Sequence, residues 1–350
     1  MPHSKVHHSS VLLIYTGGTI GMVRNPETGA LESFNFDLLL EQVPELKRFD
    51  CRISTHTFVP PIDSSDMMPG HWASLVQIID ANYHFFDGFV ILHGTDTMSY
   101  SASALSFMLE NLAKPVIFTG SQIPIGILRT DGRENLITAI EIAGARNEDG
   151  SPLVPEVALY FQNRLFRGNR TTKFSAEALN AFASFNYQPL ADVGVNIQYN
   201  TAYIAPYAPD FSDEFRISES MCDEVVIVKL FPSIRPATLR AMLFESGARG
   251  VVLETYGAGN APTSGWFVEI VKEAVERGIV VVNVSQCKDG AVQMHLYETG
   301  LALQEAGVVS GHDMTIEAAA TKLMYVLGKN LPLSETLNLM RRPLRGEFTL

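Results

Sequence analysis

The chain has 350 residues, 46% of them hydrophobic and 18% charged, a composition of a folded soluble protein and a length that suggests two domains. With 26 basic against 38 acidic residues its net charge is −12, a field that repels phosphate and argues against nucleic-acid or anionic-membrane partners. Cys51, Cys222 and Cys287 match no CxxC spacing and leave an odd thiol, so a reducing compartment is the simpler reading. The N-terminus "MPHSKVHHSS" has one lysine, and the apolar run after it is too short for a secretory signal or a membrane span. A cytoplasmic location is the expectation. His3, His7 and His8 read as a solvated tail, not as metal ligands.

In chain order, Val11–Tyr15 reads as a buried strand: β-branched, aromatic and uncharged. Asp37–Gln42 and Met68–Ala81 read as helices. Phe89–Leu92 in "DGFVILHGTDT" is a second buried strand. Ser99–Leu112 follows with an apolar stripe at Ala102, Leu105, Met108, Leu109 and Leu112. Val116–Thr119 is a third strand, "RENLITAIEIAGA" a helix and "EVALYF" a fourth strand. Continuous apolar strands alternating with helices predict an α/β fold whose mostly parallel sheet is flanked by helices. From Asn196 to Asp223 the rhythm lapses around Pro206 and Pro209. It restarts with "EVVIVKLF", "ATLRAMLFESG", "GVVLETYGAG", "GWFVEIVKEAVERG" and "IVVVNVSQC". The expected organisation is a larger catalytic α/β domain over 1–195, a linker over 196–223 and a smaller α/β domain over 224–350.

The first three strands end in Thr16-Gly17-Gly18-Thr19, His93-Gly94-Thr95-Asp96-Thr97 and Thr119-Gly120-Ser121. Ligands of open parallel sheets bind at such carboxyl ends. Ordinary helix capping accounts for Thr97, Ser99 and Thr119, but three ends sharing glycine and hydroxyls point to a site. Its chemistry narrows by exclusion. GxGxxG, GxxxxGK[ST], HExxH and GxSxG are absent, and His93 has no second ligand at i+4. What remains is a hydroxyl nucleophile served by a base other than histidine. Lysine can be that base when burial and neighbours lower its pKa. Lys173 in "FRGNRTTKF" is the best candidate, against a simple surface lysine; Lys114, before Pro115, reads as a helix C-terminal dipole partner.

The stretches "YTGGTIGM", "PPIDSSDM", "DGFVILHGTDTMSYSASALSFMLENLAKPVIFTGSQIP", "NRLFRGNRTTK" and "YGAGNAP" resemble the bacterial L-asparaginases, nearest to the cytoplasmic type I branch. The resemblance runs from about Val11 to the end of the chain. It implies hydrolysis of asparagine to aspartate and ammonia without cofactor or metal, by dimers or tetramers of two α/β domains. Carried over residue by residue, it makes Thr19 the nucleophile that forms an acyl-enzyme. Thr95, Asp96 and Lys173 form a second catalytic group, with Lys173 oriented by Asp96 and keeping Thr95 reactive toward water. Asp96 also faces the substrate α-ammonium. Asp63, Ser64 and Ser65 lie where the α-carboxylate is held, and Ser121 lines the amide end. Asn260 corresponds to a position that reaches a neighbouring subunit's site; a turn asparagine is the plain alternative. Backbone N–H groups of Gly18, Thr19 and Thr95 are implied oxyanion donors. Gly17 and Gly18 let the backbone approach the substrate closely.

Two positions depart from the family pattern. Ala30, in "VRNPETGALESFNF", stands where the family carries a loop tyrosine beside the nucleophile; Phe34 and Phe36 offer rings without hydroxyls. Either another group deprotonates Thr19, such as substrate or water, or activity is weak. Pro26 and Gly29 still suggest a lid. Type I enzymes can hold a second asparagine between subunits, near positions matched by Thr172 and Cys287. Glu254 stands where an arginine would clamp that effector, which predicts no activation by asparagine. Cys287 itself reads as a buried strand-end thiol. Two other functions compete with the asparaginase reading. An ammonia-producing amidase subunit of a larger complex normally carries an added N-terminal domain, for which the ten residues before the first strand leave no room. The other is a catalytically silent amino-acid binder.

Overall fold

The computed structural model describes residues 9–24, 31–33, 43–48, 51–207, 215–262 and 264–350. The helix expected over Asp37–Gln42 lies outside them. The chain divides into two units, one running to Ser184 and resuming over Gln188–Ser218, the other made of Phe185–Tyr187 and Glu219–Leu350.

In the first unit the elements run β1 (Ser9–Tyr15), β2 (Cys51–Thr57), α1 (Pro69–Asn82), β3 (Gly88–Leu92), α2 (Met98–Met108), β4 (Val116–Thr119), α3 (Gly132–Gly144), β5 (Val157–Phe161), β6 (Arg164–Arg167), β7 (Ala191–Val193) and β8 (Ile197–Tyr199). Among the described residues they form an eight-stranded sheet in the order β8-β7-β6-β5-β4-β3-β1-β2. The five strands from β2 to β5 are parallel, and β6, β7 and β8 continue antiparallel. Strands β3, β4 and β5 are buried throughout, as expected of strands covered on both faces. The chain leaves β1 to β2 on one side and returns to β3 on the other, so the carboxyl ends of β1 and β3 flank a reversal of strand order.

Four sequence expectations change here. Strand β2 was not anticipated: "CRISTHT" mixes exposed and half-buried positions, as an edge strand does. Ser99–Leu112 was expected to be one striped helix. Instead α2 ends at Met108, because Leu109 and Glu110 pair antiparallel with Ile217 and Arg216. It is also buried on every side except at Tyr100, with Ser99, Ser101, Ser103 and Ser106 keeping the helix slim. The linker expected over 196–223 starts too early, since Ile197–Tyr199 is the sheet's edge strand and the first unit extends to Ser218. Finally, Lys114 serves the end of α1, not of α2: its Nζ donates to the carbonyls of Tyr83 and Phe86, the latter at 2.7 Å.

The second unit contains β9 (Val225–Lys229), α4 (Pro236–Arg240), β10 (Gly250–Thr255), α5 (Gly265–Glu276), β11 (Val280–Ser285), α6 (Glu298–Glu305), β12 (Val309–Ser310), α7 (Ile316–Gly328) and α8 (Leu333–Arg341). Its sheet is β9-β10-β11-β12, parallel throughout among the described residues. Helix α5 buries Phe267, Ile270, Val271 and Ala274, the i, i+3, i+4, i+7 stripe its sequence spells. Asn186 joins Phe185–Tyr187 to this unit by accepting from Gly290 N at 2.8 Å and donating to Asp313 O at 3.2 Å.

The C-terminal segment is fastened by a fully buried ion pair. Lys322 Nζ lies 2.6 Å from Glu347 Oε1, both side chains 0% exposed. The ammonium also donates to Met340 O and Arg342 O, and the carboxylate accepts from Leu344 N and Arg345 N. Removing one partner strands a buried charge. Lys322→Met is therefore expected to cost about 3–5 kcal/mol in urea unfolding, far beyond the effect of losing an exposed lysine.

Candidate active site

Strand β1 ends where Thr16 turns inward: its N–H and Oγ1 both donate to Leu92 O on β3, each at 3.0 Å, and its carbonyl accepts from Ile62 N at 2.7 Å. Gly17 and Gly18 follow with φ of 143° and 90°. A Cβ on Gly17 would overlap the Ile62 backbone, and one on Gly18 would overlap the Gly94 backbone. The turns after β1 and β3 thus meet backbone to backbone, and Thr19 and Thr95 follow the two touching glycines. Thr19 begins a short 3-10 turn, Thr19–Gly21, and is half-buried. Among the described residues no side chain hydrogen-bonds its hydroxyl. The loop position Ala30 lies outside the described residues.

The wall beside Gly94 is Ser64, which is buried and which a Cβ on Gly94 would overlap. Thr97 Oγ1 donates to Ser64 O at 2.6 Å, so Thr97 anchors this neighbouring loop. Asp63 caps the turn at Ser64–Asp66: its Oδ1 accepts from Ser65 N and Ser65 Oγ, each at 2.9 Å. The backbone bond first, then the hydroxyl bond, holds the Asp63 carboxyl below its ordinary value. Asp63, Ser64 and Ser65 therefore share one turn, with Asp63 and Ser65 exposed and Ser64 not.

Lys173 comes from a distant part of the sequence, on the two-residue strand Thr172–Lys173 that pairs with Phe182–Ala183. Its Nζ lies 2.9 Å from Thr95 Oγ1 and 2.6 Å from Asp96 Oδ1. Three of the four residues expected to be catalytic are thus hydrogen-bonded together. The Lys173 side chain is 18% exposed and that of Asp96 64%, so water screens the pair and it adds little to stability. What it supplies is orientation: the lysine nitrogen is held against a hydroxyl, and the second oxygen of Asp96 has no hydrogen-bond partner among the described residues.

The third strand end is shaped by a residue that carries no distinctive mark in the sequence. Asp131, 5% exposed, accepts from Gln122 N and Ile123 N at 3.0 Å each and from Asn135 Nδ2 at 3.3 Å. Asn135 also donates to Gly120 O at 2.9 Å. "TDGREN" carries the signal, an acid one residue ahead of a helix, yet capping alone is the usual meaning of that pattern. Ser121 is buried, and its Oγ has no hydrogen-bond partner among the described residues. Asn260 belongs to the second unit, where its backbone exchanges hydrogen bonds with Tyr256 at 2.7 and 2.9 Å.

His93 has a role in packing. Its Nδ1 lies 2.7 Å from Gly94 O, which can only accept, so Nδ1 carries the proton and Nε2 accepts from Ser101 Oγ at 2.8 Å. Trp72 Nε1 donates to Ser101 Oγ at 2.9 Å. This serine–histidine pair has the distance of a hydrolytic dyad, but Ser101 is 0% and His93 1% exposed, so no substrate reaches it. Burial pushes His93 down to about 4. Its folded value lies below the ordinary 6.5, so its contribution is complete above pH 6.5 and is lost as pH falls toward 4. Urea unfolding should show a loss of about 3 kcal/mol across that window, and His93→Gln should flatten that slope.

Two side chains set apart by sequence lie elsewhere. Glu254, at the end of β10, is buried and pairs with Lys229 Nζ at 3.3 Å. Cys287, expected to be a buried strand-end thiol, is exposed, because it sits two residues past β11 in the turn toward Gly290. Thr172 is buried beside Lys173.

The family model "Asparaginase, N-terminal" matches residues 10–205, and "Glutaminase/Asparaginase C-terminal domain" matches residues 224–340. The chain is 45% identical to L-asparaginase 1 of Escherichia coli over 342 residues, 97% of this chain and 98% of that one. It is 41% identical to the 60 kDa lysophospholipase of Mus musculus over 364 residues, 97% of this chain but 62% of that protein. The crystal structure of L-asparaginase I from Vibrio cholerae superposes with a TM-score of 0.89 at 41% identity, covering 98% of this chain and all of that one.

Proposed function

The chain belongs to the asparaginase family, and on that premise we propose that it is an L-asparaginase working through two hydroxyls, Thr19 and Thr95. Thr19 Oγ1 attacks the side-chain amide carbon of L-asparagine. The amide C–N bond breaks, ammonia leaves with the hydroxyl proton, and an aspartyl ester remains on Thr19. Water then attacks the ester carbon, passing a proton to Thr95 as Thr95 passes its own to the Lys173 amine. Aspartate leaves as Thr19 takes up the second proton of that water, and the Lys173 ammonium gives the first to solvent, which restores the amine. Asp96 steadies the ammonium so formed, much as the acid of a catalytic triad steadies its imidazolium.

The observation that carries this reading is the position of Lys173 Nζ, 2.9 Å from Thr95 Oγ1 and 2.6 Å from Asp96 Oδ1, two residues whose turn approaches Gly18 through Gly94. The substrate is a zwitterion, and the polar groups suit both ends. The free oxygen of Asp96 meets the α-ammonium, while Ser64 and Ser65, on the turn capped by Asp63, meet the α-carboxylate. Backbone N–H groups at Gly18, Thr19 and Thr95 receive the developing oxyanion, and Ser121 lines the amide end. Asn260 completes the site of a neighbouring subunit. The same reading makes the enzyme a cytoplasmic homo-oligomer that needs no cofactor.

Ammonia release from asparagine tests the assignment. Thr19→Ala and Lys173→Met should each lose at least about a thousandfold in kcat. With hydroxylamine present, the parent enzyme should form aspartyl hydroxamate from the trapped ester, and Thr19→Ala should form none. Unchanged turnover in Thr19→Ala would overturn the nucleophile.

Glu254 supports a statement about regulation. Glu254, buried and paired with Lys229, stands where the family pattern has an arginine, so that position offers no guanidinium to clamp the carboxylate of an amino-acid effector. Initial rates against asparagine concentration should be hyperbolic. A sigmoidal curve would refute the absence of activation.

A further inference from the structure

Gln122 is a second side chain, besides Lys173, that touches the Thr95 hydroxyl. Its Oε1 lies 3.3 Å from Thr95 Oγ1, and its Nε2 donates to Ala176 O and Ala178 O, each at 3.2 Å. The two carbonyls settle which way the amide points: turned over, it would set its own oxygen against both. Gln122 therefore offers Thr95 an acceptor and never a donor. Its backbone is fixed independently, through the N–H donated to buried Asp131.

The tether reaches the lysine through its hairpin. Ala176 and Ala178 belong to the turn that follows Lys173, and Ser175 shapes that turn by accepting from Glu177 N and Ala178 N. Phe174 N closes the hairpin on Ala181 O at 2.9 Å. One side chain thus links three pieces: the loop after β4, the hydroxyl at the end of β3, and the strand that carries the amine.

Resting on the function proposed above, we infer that Gln122 is a positioning residue for the Thr95–Lys173 proton transfer. When Lys173 is an ammonium, it donates to Thr95 Oγ1, and the Thr95 hydrogen turns to Gln122. When Lys173 is an amine, the same hydrogen swings to Nζ with no change of side-chain rotamer. Gln122 keeps the hydroxyl aimed in the first state and holds the hairpin at reach for the second.

Two variants test this by steady-state ammonia release across pH. Gln122→Leu removes the acceptor and both tethers; kcat should fall by about tenfold to a hundredfold, with KM changed less than about threefold. Gln122→Glu keeps the shape, sets an anion near Lys173 and opposes the two carbonyls. The acid limb of its kcat profile should move up by about one pH unit, which a purely structural role would not do. Loss of fold in Gln122→Leu, seen by circular dichroism, passes the decision to Gln122→Glu, whose unmoved acid limb would overturn the inference. Parent kcat and profile in a folded Gln122→Leu would overturn it as well. Thr95→Ala separates the two levels: if it is fully active, the role given to Thr95 fails and this inference with it; if it is inactive while Gln122→Leu is normal, only the inference fails.

Discussion

Two strand ends share one crevice only if nothing stands between their backbones, and at Gly18 and Gly94 nothing does. A methyl on Gly18 would run into Gly94, one on Gly94 into Ser64, and one on Gly17 into Ile62. Three loops from three parts of the chain meet at distances that exclude any side chain. Positive φ at Gly17 and Gly18 adds a second reason for glycine, since other residues would be strained there even with room. The turns that carry Thr19 and Thr95 owe their close approach to this missing volume.

Much of the fold was legible because burial on both faces leaves an unmistakable mark. Val11–Tyr15, Phe89–Leu92 and Val116–Thr119 carry no charge, and each became a central strand. The edges were not legible. Strand β2 is half polar, and β8 is a three-residue strand inside a stretch rich in asparagine and tyrosine. Their place depends on neighbours that pair with them, which local sequence does not record. Helix α2 misled for a different reason: a helix buried all round has no polar face, so its stripe marked only part of its contacts.

The site divides along the same line. Residues that would meet substrate could be found by chemistry: hydroxyls and glycines at strand ends, then the need for a base that is not histidine. That need led to Lys173, which lies 77 residues from Asp96 in sequence. Residues that hold the backbone gave no such signal. Asp131, Asn135 and Gln122 look like an ordinary cap, a helix residue and a loop glutamine, and Trp72 and Ser101 look like helix packing. Only their hydrogen bonds to Gly120, Ile123, Thr95 and His93 set them apart.

The two lysine–carboxylate pairs clarify what such a pair is for. Lys322–Glu347 and Lys173–Asp96 have the same 2.6 Å separation and the same chemistry. In the first, both side chains are 0% exposed and every remaining donor and acceptor is met by backbone, so removing one charge leaves the other stranded and the pair acts as a lock. In the second, Asp96 is 64% exposed and the ammonium also touches a hydroxyl. Water screens that attraction, and the lysine keeps a contact with a hydroxyl that the buried pair lacks. Solvent access, rather than distance, separates the structural pair from the one proposed to serve catalysis.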